Sequence, residues 1–107
     1  SLSNHAYEYS KDIKDLYLIG VTYFSMGNHD KAYPILKSSL PYSLVYLAKC
    51  YENGFGCKKN IYALYKMLKK EIYAGNNKAL EILRDKVGMY NKADEEIHLL
   101  FLCVFMY

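Results

Sequence analysis

Apolar residues recur every three to four positions along this chain, and glycine, asparagine or proline closes each stretch so patterned. In the first stretch Ile13, Leu16, Tyr17, Ile19, Gly20, Tyr23 and Phe24 keep helical spacing, which predicts a helix over 12–26 with a wide apolar stripe. Gly27-Asn28 should stop it, since a small residue there can take the left-handed conformation. Asp30 is expected to cap a second helix, Lys31 to about Leu40, with Ala32, Tyr33, Leu36 and Leu40 inward. Pro34 would lie in its opening turn, where losing one N–H costs least. Pro41 breaks the chain before a third helix, 42–53, built on Leu44, Leu47, Ala48 and Tyr51, which Gly54-Phe55-Gly56 ends. Asn60 is the expected cap of a fourth helix running to Ala74 through Ile61, Leu64, Tyr65, Leu68 and Ile72. Gly75-Asn76-Asn77 stops it, and a fifth, 78–89, uses Ala79, Leu80, Ile82, Leu83 and Val87. A last helix should start at Asn91 or Asp94. No segment alternates apolar and polar residues long enough for a strand. The pattern therefore predicts a single all-α domain, 1–107, of antiparallel α-hairpins joined by short loops.

An internal echo supports a stack of such hairpins. Leu16…Ile19-Gly20…Tyr23…Gly27…Ala32…Leu36 resembles the tetratricopeptide (TPR) repeat, with a large residue, a Leu-Gly-like pair, a Tyr, then a small Ala in the second helix. The next copy, Leu44…Leu47-Ala48…Tyr51…Gly54-Phe55-Gly56…Asn60…Ala63, is similar to a Sel1 repeat, with its G-x-G turn, polar cap and small Ala. Ala79 and Leu83 follow Ser43 and Leu47 by thirty-six residues, a period that a Sel1 array would show. The third copy is degenerate: Arg84 stands where Gly or Ala belongs and no G-x-G follows. Lys31-Ala32-Tyr33…Leu36-Lys37 and Tyr46-Leu47-Ala48-Lys49-Cys50 are also similar to the amino-terminal, homodimer-forming repeats of the anaphase-promoting complex's tetratricopeptide subunits. The resemblance implies a TPR/Sel1-like solenoid fragment with repeats at 12–41, 42–75 and a partial one at 76–107. It implies a non-enzymatic scaffold or assembly subunit that binds proteins. It also places a partner groove on the first helices of the repeats, lined by Lys14, Tyr17, Val21, Phe24 and Ser25, then Tyr42, Val45, Lys49, Glu52 and Asn53. With Tyr17 and Val21 in place of a Lys/Asn carboxylate clamp, an apolar or aromatic peptide, or a partner's helix, is the expected occupant.

Composition narrows this picture only a little. Tyrosine supplies 13 of the 17 Phe and Tyr residues and there is no Trp, which suits half-buried helix faces and binding surfaces alike. The net charge of +3 is too small to imply nucleic acid, but eight basic residues between 58 and 86 face only three acidic ones. A solvated helix face is the ordinary account of that cluster. An RNA- or ribosome-associated factor using the basic face of 58–86 is the alternative function. Cys50, Cys57 and Cys103 are odd in number and lack CxxC spacing, so reduced thiols in an intracellular, cytoplasmic or nuclear protein are expected. His5, His29 and His98 have no neighbouring ligands at zinc spacing, and Asp94-Glu95-Glu96 reads as an acidic first turn. No catalytic constellation, metal site, cofactor or phosphate loop is expected.

The run from Ile97 to Met106 is nearly all apolar yet too short for a bilayer, which needs roughly 20 residues. It is apolar on every side, so Leu99, Phe101, Leu102 and Phe105 are expected to meet further repeats, a partner or a second copy.

Overall fold

The computed structural model describes the backbone of residues 2–90 and the side chains of residues 11–86. All regular structure among them is helical: α1 (Leu2–Ser25), α2 (His29–Lys37), α3 (Leu44–Asn53), α4 (Ile61–Tyr73) and α5 (Asn77–Tyr90). The described residues form two compact units, one ending at Lys59 and the other beginning at Asn60. The boundary falls inside the segment 42–75 that the resemblance treats as one repeat.

In the first unit α1 packs along α2, and α2 meets α3. The turn between α1 and α2 is built by Gly27 and Asn28. Gly27 takes a φ of 80°, its N–H reaches the Phe24 carbonyl at 3.0 Å, and Asn28 N–H reaches Tyr23 O at 2.9 Å. This is the paired bonding of a glycine-ended helix, and it satisfies carbonyls that would otherwise lack partners. Asn28 then caps α2 by accepting from Lys31 N–H. The second unit repeats the device. Gly75 (φ 91°) donates to Ile72 O at 3.0 Å, Asn76 N–H donates to Glu71 O at 2.9 Å, and Asn76 Oδ1 accepts from Lys78 N–H at 3.0 Å. One Gly-Asn pair thus ends a helix and starts the next in each unit, leaving only Met26 to Asn28 and Ala74 to Asn76 between helices that pack together.

Close approach of α1 to α2 rests on Gly20. A Cβ there would lie 2.9 Å from Leu36 Cδ2 and 3.1 Å from Ile35 Cγ2. Ala32, Leu36, Leu44, Leu47, Ala48 and Cys50 are buried in this unit. Two serines are buried with them. Ser39 Oγ donates to Ile35 O and Leu36 O, and Ser43 Oγ donates to Leu36 O, so the carboxyl end of α2 keeps its carbonyls bonded inside the core. In the second unit Leu64, Tyr65 and Leu68 of α4 and Ala79 and Leu83 of α5 are buried. Asn60 caps α4 through a 2.9 Å bond from Ala63 N–H.

Several expectations need correction. α1 starts at Leu2 instead of Asp12, because residues 2–11 contain no Pro or Gly to stop propagation once a helix has nucleated. Asn28, not Asp30, caps α2. Asp30 sits inside the first turn, where its charge suits the dipole, and the helix ends at Lys37. Pro34 is the sixth residue of α2, so the Asp30 carbonyl loses its helical donor. α3 starts at Leu44, since Pro41 to Ser43 are held in turns by bonds such as Ser43 N–H to Ser39 O; the Leu40–Pro41 peptide is cis. Ile19, expected inward, is half exposed, because the Gly20 contact turns its neighbour outward. The expected last helix and the Val87 side chain lie outside the described residues.

Candidate functional site

Helical spacing puts Lys14, Tyr17, Val21, Phe24 and Ser25 on one side of α1. The first unit brings part of that side against the turn before α3, α3 itself and the loop after it. Tyr17 lies 6.3 Å from Tyr42 and 6.2 Å from Tyr46, ring centroid to centroid. Phe24 meets Tyr46 edge-on at 5.3 Å and Phe55 edge-on at 5.8 Å. His29 is 4.9 Å from Phe24 and 4.4 Å from Phe55. The result is a ladder of rings running from Tyr42 through Tyr17, Tyr46 and Phe24 to Phe55 and His29. These separations are those of favourable edge-to-face and tilted aromatic contacts. Lys49 Nζ sits 5.4 Å from the Tyr46 centroid, adding a cation at the margin.

The ladder is not core. Tyr42 keeps 40% of its surface exposed, while Tyr17, Phe24, His29, Tyr46 and Phe55 are half-buried. Of the residues named from sequence, Tyr17, Phe24 and Tyr42 join it. Val21 and Val45 are half-buried, and Lys14, Ser25 and Lys49 are exposed. Leu99, Phe101, Leu102 and Phe105 lie outside the described residues. Tyr46, His29 and Phe55 are the members that sequence reading missed. Tyr46 was legible in principle, one helical turn after Tyr42.

Phe55 reaches the ladder through its two glycines. Gly54 ends α3 in the left-handed conformation, with Gly54 N–H and Phe55 N–H both donating to Cys50 O. Gly56 (φ 69°) then lies against the start of α2: a Cβ on it would fall 2.1 Å from His29 O and 2.8 Å from Tyr33 Cβ. The G-x-G turn therefore docks α3's end onto α2's beginning and leaves Phe55 beside Phe24 and His29.

On the far side of that turn Tyr33 donates to Tyr51 across 3.4 Å between their hydroxyls, with the rings 5.9 Å apart. Burial, then the Tyr33 contact, pushes the Tyr51 phenol well above its ordinary range. Burial first, and the Cys57 thiol second, push the Cys50 thiol up to about 11. Burial raises Cys57 too, and its Sγ donates to Cys50 O at 3.4 Å. Both sulfurs are held as thiols, the opposite of what a nucleophile needs. Among the described residues no group of three His, Cys, Asp or Glu side chains could hold a metal ion. No helix among them is long and apolar enough to cross a membrane. Compared with protein-family models, curated proteins and solved structures, the chain matches nothing.

Proposed function

We propose that this chain is a non-enzymatic protein-interaction module, a scaffold or assembly subunit built from stacked TPR/Sel1-like α-hairpins and working inside the cell. Its aromatic ladder holds an apolar or aromatic peptide, or a helix of a partner. The observation that carries the reading is the half-exposed row Tyr42, Tyr17, Tyr46, Phe24, Phe55. Rings fixed by one another lose little conformational entropy on binding, and an apolar body with a polar rim is the composition of binding hot spots. The matching Gly-Asn turns in the two units support the repeat reading, because each joins two packed helices by the same local chemistry.

Affinity purification with mass spectrometry tests it, comparing the chain with a Tyr17→Ala/Tyr42→Ala variant of equal helical content by circular dichroism. Proteins captured by the wild type and lost with the variant are expected. An unchanged set of captured proteins would remove the ladder from the binding surface.

A further inference from the structure

Helix α4, in the second unit, carries a surface made of residues other than those of the ladder. Tyr62, Lys66, Lys69 and Tyr73 follow one another at spacings of four, three and four residues, so they form one row along the helix. The row is symmetric, with tyrosines outside and lysines inside. Lys66 Nζ lies 5.6 Å from the Tyr62 centroid, and Lys69 Nζ lies 5.8 Å from that of Tyr73. Tyr62 is 45% exposed and Tyr73 74%. Lys66 is exposed and Lys69 half-buried, and the exposed Lys70 flanks the row. The helix has one carboxylate, Glu71, half-buried on its opposite side, where it accepts from Asn76 Nδ2 at 3.3 Å. Among the described residues no carboxylate pairs with Lys66 or Lys69, so the row presents positive charge between two exposed tyrosines, with no aliphatic side chain in it.

We propose that this face of α4 binds a short run of single-stranded polynucleotide, with bases laid on Tyr62 and Tyr73 and the intervening phosphates at Lys66 and Lys69. A helix rises about 1.5 Å per residue, so the two rings stand about 16 Å apart along the axis with the ammonium groups between them. Aromatic platforms bordering a cationic track are what non-sequence-specific single-strand recognition requires. An acidic peptide would satisfy the lysines and leave both rings without a role. An apolar partner would use the rings and bury the lysines without counter-charge. No contact to a sugar is implied, so RNA and DNA single strands should bind alike. The inference is independent of the proposed protein-binding ladder, which lies on other helices.

The test is fluorescence anisotropy of labelled oligouridine and oligothymidine, each about twelve nucleotides, with the full chain between about 50 and 200 mM salt. Both oligomers should bind, with affinity falling as salt rises. Lys66→Gln/Lys69→Gln should reduce the log–log salt slope by about 1.4, the single-strand value for two phosphates. Tyr62→Ala or Tyr73→Ala should weaken binding about 5- to 150-fold at unchanged slope, and the Phe variants should restore it, because stacking needs the ring and not the hydroxyl. These residues are at the surface, and dichroism checks that each variant keeps its helices. Three results would overturn the proposal: no binding at the lowest salt, alanine variants that bind like the wild type, or polyglutamate of equal charge competing as well as the oligomers. The last would make the row a site for acidic proteins.

Discussion

At the scale of single residues, the glycines separate into those that touch another element and those that only turn the chain. Gly56 does both, so Gly56→Ala meets the strain of a left-handed alanine, about 1–2 kcal/mol, and a clash with the His29 backbone. The expected loss is about 3 kcal/mol or more by urea denaturation. Gly75→Ala, with nothing within 4 Å of the added carbon, should lose only the strain. Equal losses would mean that the loop does not pack on α2. Gly20→Leu should likewise cost about 1–3 kcal/mol or more by overpacking Leu36 and Ile35. Lys69 was expected to be fully solvated but is half-buried beside the Tyr73 ring, so Lys69→Ala should cost up to about 1 kcal/mol, still well short of Gly20→Leu. Cys50 adds a pH dependence. Its thiol titrates near 9.0 when unfolded and at about 11 when folded, so above about pH 9 the unfolded chain releases the proton first. Stability should be complete below that pH and fall as pH rises toward 11, and a Cys50→Ala variant should show a shallower fall in denaturation midpoint over the same range.

Among the elements, the glycine-stopped helix ends and the Asn60 cap were the most legible features, and the end of α2 and the other helix starts the least. Asn60 and the three glycine stops stand where spacing put them, because a cap or a left-handed glycine is a local requirement. Asn60→Ala should therefore cost about 1 kcal/mol, and a silent change would show the Ala63 N–H to be satisfied by water instead. The starts of α2 and α3 were missed for two different reasons. Asn28, read as part of the stop of α1, also caps α2, because the bonding of the preceding glycine places it there. At Ser43 the hydroxyl serves a carbonyl seven residues back in the chain, a partner that no local pattern reveals. The ladder shows the same limit. Tyr17, Phe24 and Tyr42 were groove residues that the repeat resemblance implied, whereas Phe55 and His29 join only because Gly56 lets the loop lie on α2.

For the whole molecule, five helices and no strand among the described residues predict a dichroism spectrum dominated by helix, and substantial strand signal would contradict the architecture. The apolar segment carrying Leu99, Phe101, Leu102 and Phe105 lies outside those residues, and its expectation stands on sequence alone. The isolated chain should self-associate or require a partner through it, since apolar patches of several hundred Å2 are rare on stable monomers. Sedimentation at micromolar concentration measures this directly. Phe101→Asp/Phe105→Asp should dissociate the assembly, or abolish a complex, before residues 12–75 unfold, and a well-behaved wild-type monomer would refute the expectation.

The helical class, the glycine stops, the Asn60 cap and most of the buried aliphatic positions were legible in the chain, because each depends on spacing or on backbone chemistry within about one turn. Tertiary structure alone decided that Ile19 faces outward, that Ser39 and Ser43 are buried around one carbonyl, and that six rings from α1, α2, α3 and the loops around α3 form one ladder. Those outcomes depend on the distance between chain segments far apart in sequence, which the Gly20 and Gly56 contacts set and periodicity does not encode.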